Sequence, residues 1–360
     1  MVQVPLWLWV GGLIVGVFAA HWGAEQFSKP LKKLRRQWGL SAVAGGAFVG
    51  LAAASPEIGI TVVSAYRGVS DIGLGVMLGA NIVAIPIMVT TAYIASRTES
   101  LGNSNTTGKS QSNTADRDGS HELPTGDHAR HRQEHLLHVD RTAVTVLALP
   151  YLGIVAVAAV LTLPAPWRGL QPLDAGVMAV VYLVFLGQAV IRGRQETESV
   201  EWKKREVALA STGLVVLAVG TYLAVRATEN IATAFGISNL ISGLFITALI
   251  AATPEIFATW NVVRSGQVTA GTTSVLGDHA VTMTVAFIPL AITTVPIENF
   301  RLYWVNLVFV ATMPVAYAIL LHFGTAEHGF KRWQIAMLDG IYVLYIAIVV
   351  IWVLNLIPIP

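Results

Sequence analysis

Long apolar runs alternate with short polar segments along the whole chain of 360 residues. A helix of about 20 apolar residues crosses the ~30 Å hydrocarbon layer of a bilayer. Segments of about ten residues with alternating polarity, which transmembrane strands would show, are not seen. The pattern therefore predicts an all-α membrane protein with ten spans, near 5–23, 40–65, 72–96, 142–163, 173–192, 206–226, 237–262, 268–294, 303–323 and 334–357.

Composition supports this interpretation, because 54% of the residues are hydrophobic and only 12% are charged. Soluble domains carry roughly 25% charged residues. The first apolar run lacks a basic amino-terminal region and a cleavage site, so it predicts a span and not a signal peptide. The absence of cysteine excludes disulfides and thiolate metal sites. No enzyme activity, cofactor or nucleic-acid partner is expected.

Basic residues are concentrated in the loops after the first, fifth and ninth spans, which read "SKPLKKLRRQ", "IRGRQETESVEWKKRE" and "EHGFKRW". The opposite loops, such as "APWRGLQPLD" and "VPIENFR", carry few lysines or arginines. The positive-inside rule then predicts a multi-pass protein of the cell membrane with both termini outside. The expected order is 1–97 with spans 1–3, a cytoplasmic linker 98–140, spans 4–5 in 141–192, a cytoplasmic loop 193–205, and spans 6–10 in 206–360.

The linker 98–140 is rich in Ser, Thr, Asn, Gly and His, and it has too few apolar residues to fold alone. Four of its histidines would share one face of a helix, with Asp127 and Glu134 nearby. Imidazoles on one face can bind zinc or nickel, whereas the alternative is a soluble tether without a ligand. The four histidines are His128, His131, His135 and His138.

Two stretches far apart in the chain carry the same pattern. A shift of 198 positions places Pro56 and Glu57 on Pro254 and Glu255, and several glycines after them also coincide. Each copy begins a half of five spans, and because five is odd, the second half enters the membrane from the opposite side. Many secondary transporters use such inverted repeats and bind their substrate near the midplane, where discontinuous helices meet.

Both repeated glutamates follow a proline inside an apolar run. A carboxylate at the bilayer centre costs at least ~2.5–3.5 kcal/mol, so it is tolerated mainly beside a cavity, a cation or a proton pathway. Proline interrupts the helix there, because it lacks a backbone donor. We expect Glu57 and Glu255 to converge on one cation, and hard cations such as calcium prefer carboxylate and carbonyl oxygens. The alternative is that each glutamate is protonated in a helix contact.

These motifs resemble those of the cation/calcium antiporter superfamily, which includes the sodium/calcium exchangers. That family has ten spans, two inverted alpha-repeats, and motifs close to G-T-S-x-P-E and G-N-x-x-G-S-N-x-x-N/D. Here they read "AAASPE" with "GVMLGANIVA", and "IAATPE" with "TSVLGDHAVT". The resemblance implies a sodium/calcium exchanger-like fold with Glu57 and Glu255 as the central cation ligands. It also implies helper carbonyls where the helices should unwind, at Ala53, Ala54, Ala251 and Ala252.

The chain departs from the family pattern at several ligand positions. Alanines replace the Thr-Ser pair that helps to hold sodium, and Ser55 and Thr253 supply hydroxyls one position later. The second motif places Asn81 in one half, Asp278 and His279 in the other, and Thr282 at its last position in the second half. A proton on an acid or on His279, whose intrinsic pKa is near 6.5, could then take the place of sodium. The alternative for His279 is a hydrogen bond across helices.

The sequence therefore predicts a secondary active antiporter that exchanges calcium, or a similar divalent cation, for sodium or protons. Spans one and six would move against a core of spans two, three, seven and eight. Alternatives are a proton-coupled exchanger of another metal, a cation channel, or a non-transporting metal sensor. His21 and Glu25, one turn apart, are interpreted as an interfacial pair or a helix-end cap, and Glu229 and Asp339 are also not assigned as ligands.

Overall fold

The computed structural model describes residues 4–39, 50–98, 137–139, 141–164, 168–192, 199–200, 202–264, 268–323 and 329–354. Almost all of these residues are helical. Most of the expected linker, together with the metal-binding interpretation of its histidine side chains, lies outside them and stays a prediction.

In the first part of the chain, residues 50–53 are helical, and a break at residue 54 separates them from the helix that begins at Ser55. The other helices of this part are continuous. The elements are α1 (Leu6–Gln37), α2 (Ser55–Tyr66), α3 (Ser70–Ala95), α4 (Arg141–Thr162) and α5 (Pro172–Arg192).

The second part begins with α6 (Lys204–Phe235). An interrupted helix follows, made of α7 (Asn239–Ile241), a π-helical turn (Ser242–Thr247), α8 (Ala248–Ala251) and α9 (Thr253–Arg264). The remaining helices are α10 (Val268–Thr284), α11 (Phe287–Ile292), α12 (Phe300–Phe323) and α13 (Arg332–Ala347), the last continued by a π-helical segment (Ile348–Val353). Two short strands, β1 (Leu137–His138) and β2 (Gly329–Phe330), pair antiparallel with Leu137 opposite Phe330.

Seven helical segments in the described ranges are long and apolar enough to cross a membrane, so the protein is a multi-pass membrane protein. Two of them exceed the expected spans. Helix α1 continues beyond residue 23 to Gln37, because leucine, lysine and arginine in its last turns are good helix formers. Helix α6 continues beyond residue 226 to Phe235 and ends at Gly236, whose φ of 64° is left-handed and suits glycine.

Helix α3 forms the centre of the fold. It is apolar on all sides, and nearly all of its residues are buried, as expected for a helix surrounded by other helices. The residues that pack around it come from α2, α9, α10, α12 and the π-helical turn Ser242–Thr247. By contrast, α1 and α6 are mostly exposed and lie at the periphery, where their apolar side chains face the lipid.

Helices α1 and α6 pack against each other backbone to backbone, in antiparallel directions. A Cβ atom added to Gly16 would lie 2.7 Å from the carbonyl oxygen of Gly220, and one added to Gly213 would lie 2.7 Å from that of Gly23. Small residues allow such close approach between membrane helices. The two helices therefore form one unit, which we call the α1/α6 pair.

The two halves of the chain approach each other closely at two places, and the same pair of repeat positions makes the contact at both. A Cβ atom on Gly79 would lie 2.8 Å from that of Ala248, and one on Gly50 would lie 3.7 Å from the carbonyl oxygen of Gly277. The shift of 198 positions relates Gly79 to Gly277 and Gly50 to Ala248. The corresponding positions of the two sequence repeats therefore exchange roles in this contact.

An ion pair connects the α1/α6 pair to the core. The Nη2 atom of Arg67, just after α2, lies 2.6 Å from Oε2 of Glu229 on α6, and its Nη1 donates to the hydroxyl of Tyr222 at 3.2 Å. Asp339 likewise has a hydrogen-bonding role, since it accepts from the Thr90 hydroxyl at 3.0 Å.

We expect a double-mutant cycle of Arg67→Gln and Glu229→Gln to give a coupling free energy of unfolding of about 0.5–1 kcal/mol, because both side chains are only partly buried. Thermal unfolding of the purified single and double variants in detergent measures this. A coupling of zero would show that the ion pair does not hold α6 to the core.

Candidate cation site

Both halves interrupt their helix directly before the proline. Ala54 and Ala252 precede α2 and α9 and have nearly the same backbone angles, φ −74°, ψ −1° and φ −72°, ψ −11°. Pro56 has no N–H group, so the Ala52 carbonyl four residues earlier has no helical donor. The Ser55 hydroxyl donates to this carbonyl instead, at 2.8 Å. The repeated Pro therefore gives each half the same local break.

The break is shorter than the resemblance implies. The carbonyl of Ala54 accepts from the Ile58 N–H at 2.9 Å, and that of Ala252 accepts from the Ile256 N–H at 3.2 Å. Each interruption is thus one residue long and not an unwound stretch. A carbonyl oxygen has a second lone pair, so these groups keep some capacity for an ion. Ala54, Ala251 and Ala252 are buried, whereas Ala53 is exposed.

Three carboxyl groups from the two halves come together behind these breaks. Glu57 lies in the first turn of α2, Glu255 in the first turn of α9, and Asp278 in α10. Glu255 lies near enough to Glu57 and to Asp278 for each pair to repel when both are charged, and so do Asp278 and Glu57. The three acids thus lie near one another, on helices from both halves of the chain.

Each of these acids has a buried oxygen with no hydrogen-bond partner among the described residues, namely Oε2 of Glu57, Oε2 of Glu255 and Oδ1 of Asp278. Glu57 is only 2% exposed. Burying a carboxylate without donors is costly unless its charge is compensated. A cation or protons would supply that compensation.

Two further candidates on α10 are equally buried. His279 is 2% exposed and Thr282 is 1% exposed, and neither Nδ1 of His279 nor Oγ1 of Thr282 has a partner in the described part of the chain. Thr282 lies one helical turn after Asp278, so the two side chains share a face of α10. The family's last acidic or amide position is thus a threonine here, while an acid stands one turn earlier.

The remaining candidates have hydrogen bonds within the protein. Asn81 donates to the Met77 carbonyl at 2.7 Å and accepts from the Tyr151 hydroxyl at 3.0 Å. The Tyr151 ring also lies against His279, with ring centroids 5.8 Å apart. Ser55 donates to the Ala52 carbonyl across the break, and Thr253 makes a long bond of 3.5 Å to the Leu249 carbonyl. Asn81 therefore helps to hold Tyr151 and His279 in place.

His21 is a site residue that the sequence interpretation missed. Its Nε2 atom lies 3.8 Å from Oε1 of Glu255, and its Nδ1 is buried without a hydrogen-bond partner in the described ranges. The expected pairing with Glu25 is therefore corrected, since His21 faces the repeat acid and Glu25 is exposed. The sequence interpretation placed His21 near the end of the first span because it made that helix too short. Because α1 runs from Leu6 to Gln37, His21 stands at its middle and not at its end.

Tyr182 on α5 was also missed. It packs with Ala54 and Val281, and its hydroxyl is buried with no partner among the residues the structure describes. This hydroxyl therefore lies near the first helix break. In the present arrangement, no three His, Asp or Glu side chains of the described residues are close enough together to hold one ion. The three acids are near enough to repel one another but not near enough to bind one ion as they stand.

A family model described as sodium/calcium exchanger protein matches residues 8–190 and 206–351. The chain belongs to this exchanger family. Its motif resemblance to these exchangers is thereby confirmed, and the protein is a membrane cation antiporter and not an enzyme. A search of curated protein sequences gives no match.

Solved structures of exchangers share the all-helical fold. The sodium-calcium exchanger NCX_Mj soaked with 10 mM Na+ and zero Ca2+ aligns with a TM-score of 0.58 and 19% identity, over 95% of this chain and 99% of that one. The H+/Ca2+ exchanger CAX aligns with a TM-score of 0.62 and 15% identity, over 96% of this chain and 82% of that one. At these identities the exchanger chain shares the fold with both.

Proposed function

We propose that this exchanger is a secondary active antiporter that moves calcium, or a similar divalent cation, against protons or sodium through a site formed by Glu57, Glu255 and Asp278. One observation carries the proposal, namely that these acids come from both halves of the chain and lie within repulsion distance of one another. A divalent cation would draw the carboxyl groups together and offset their repulsion. Competition of two ions for the same acids gives coupled exchange.

Two features favour protons as the coupling ion. Alanines stand where the family's sodium-binding hydroxyls would be, and Ala54, Ala251 and Ala252 are buried beside the site. Three carboxylates carry three negative charges, so a bound divalent cation leaves one charge uncompensated. Charge within the bilayer is costly. The site must therefore also bind at least one proton, so that its net charge stays close to zero while it opens from one membrane surface to the other. Sodium is the alternative coupling ion.

The proposed architecture has ten helices in two inverted repeats, with both termini outside. The exchange of partners between Gly79–Ala248 and Gly50–Gly277 supports the inverted repeat. Alternating access would arise from movement of the α1/α6 pair against α2, α3, α9 and α10. The exposed position of that pair and its close internal contact support such movement as a unit.

Proteoliposomes loaded with a fluorescent cation indicator distinguish the two coupling ions. We expect an imposed pH gradient to drive cation uptake, and an imposed sodium gradient at equal pH on both sides to drive little or none. Liposomes without protein and the Glu57→Gln variant serve as controls. Uptake driven by sodium alone would reject proton exchange, and uptake without either gradient at channel-like rates would reject antiport.

A further inference from the structure

The acidic site of this exchanger has an imidazole nitrogen beside it. His21 on α1 approaches Glu255 across the boundary between the α1/α6 pair and the core. Calcium is bound in proteins by six to eight oxygen atoms. Imidazole nitrogen suits transition metals instead, such as zinc, nickel, copper and iron. A mixed set of carboxylates and imidazole therefore indicates a different class of cation.

The distance between His21 and Glu255 fits a shared ion better than a direct hydrogen bond. At 3.8 Å, Nε2 of His21 and Oε1 of Glu255 are too far apart for a hydrogen bond. Two ligands with metal bonds of about 2.1 Å and a tetrahedral angle lie about 3.4 Å apart. A movement of a few tenths of an ångström would place both on one ion.

Unpaired buried atoms provide independent support for a ligand. Glu57 and Thr282 are more than nine-tenths buried, and each has a polar atom without a hydrogen-bond partner in the described part of the chain. Buried polar side chains normally find partners. Since Glu57 is one of the three acids and Thr282 shares a helix face with Asp278, these atoms indicate that something other than the protein satisfies them.

We propose that the divalent cation of this site is a transition metal ion, and that His21 is one of its ligands, with Glu57, Glu255 and Asp278. This inference rests on the proposed function and names the substrate class of the same site. Since His21 belongs to the α1/α6 pair, it is a ligand contributed by the peripheral unit, whereas the acids belong to the core. Binding of the metal therefore joins the two bodies.

Binding to the purified full-length protein in lipid nanodiscs tests this directly. Mn2+ is the probe, because its bound and free forms are distinguished by electron paramagnetic resonance. Pulsed measurements also detect an imidazole nitrogen bonded to it. We expect the wild type to show coupling to 14N of a histidine. His21→Ala should remove this coupling and weaken Mn2+ binding at least about tenfold.

The same variants titrated with Ca2+ provide the comparison. His21→Ala should change Ca2+ affinity by less than about twofold, because an all-oxygen ion does not use the imidazole. The matched control is His322→Ala on α12, which should leave both affinities and the 14N coupling unchanged. Absence of 14N coupling in the wild type, or equal losses of Mn2+ and Ca2+ affinity in His21→Ala, would overturn the inference.

Failure of this inference is distinguishable from failure of the proposed function. If Glu57→Gln loses Ca2+ binding while His21→Ala has no selective effect on Mn2+, the acidic site stands and the transition-metal assignment is wrong. If Glu57→Gln and Glu255→Gln bind both ions as the wild type does, the acidic site itself is rejected.

Discussion

Replacing Glu57 or Glu255 by glutamine is expected to lower cation exchange by about 100-fold or more. Loss of an outer-shell partner alone typically costs 10–100-fold in metal affinity, and these residues are proposed as direct ligands. Glutamine keeps the size of the side chain but removes the charge that both exchanging ions need. Transport into proteoliposomes under a pH gradient, normalised to the amount of folded protein, measures the effect.

The matched control is Glu25→Gln, an exposed acid on α1 one turn from His21. It should leave exchange unchanged, because its carboxyl group is exposed and is not among the buried acids of the site. Asp278→Asn should lower exchange as the two glutamate variants do, because Asp278 lies near enough to Glu57 for their charges to repel. Near-normal flux in Glu57→Gln or Glu255→Gln, with correct folding, would reject the assigned site.

Leucine at Gly23 is expected to abolish exchange and to lower the midpoint of thermal unfolding by at least about 5 °C. The Cβ atom alone would overlap the Gly213 carbonyl oxygen and lie 2.7 Å from the Leu217 backbone nitrogen. Backbone atoms cannot rotate away, so α1 and α6 must separate. Overpacking of a tight interface costs typically 1–3 kcal/mol or more. Unfolding of the purified variant and proteoliposome transport report the two effects.

Gly11→Leu on the same helix is the control, because a Cβ atom at Gly11 would have no neighbour within 4 Å. It should fold and transport as the wild type does. If Gly23→Leu also behaves like the wild type, then close backbone contact does not hold α1 and α6 together. The proposal that they move as one unit would then be rejected.

The membrane class and the repeated acids were predictable, because both depend on local features of the sequence. Apolar runs report on the lipid environment, and a carboxylate after proline within such a run is costly enough to mark a function. The shift that relates Pro56 to Pro254 also predicted the position of both helix breaks, at Ala54 and Ala252. The breaks themselves are shorter than expected, since each interrupts its helix at one residue.

His21 and Tyr182 were not predictable in the same way. Their significance depends on which side chains from other helices they approach, and a single sequence contains no direct record of such contacts. For His21 the error arose from the end of the span, because hydropathy falls at the basic residues after residue 28 while the helix continues to Gln37. For Tyr182, nothing in its apolar surroundings distinguishes it from a core aromatic residue.

Asn81 depends on its neighbours in another way. Its place in the second motif indicated an ion ligand, which stays a prediction, and in this structure its amide nitrogen donates to the Met77 carbonyl while its amide oxygen accepts from the Tyr151 hydroxyl. A motif position identifies the helix face, whereas the partners that satisfy the side chain depend on the neighbouring helix.

The backbone contact between α1 and α6 has a consequence for the ion gradients that the cell maintains. In the proposed mechanism, two helices that run in opposite directions and touch through their backbones shift together, so opening the route at one surface closes it at the other. Ions in that mechanism have no moment at which they can pass straight through. A membrane containing many copies should stay electrically tight, and stored gradients should be dissipated only by completed exchange.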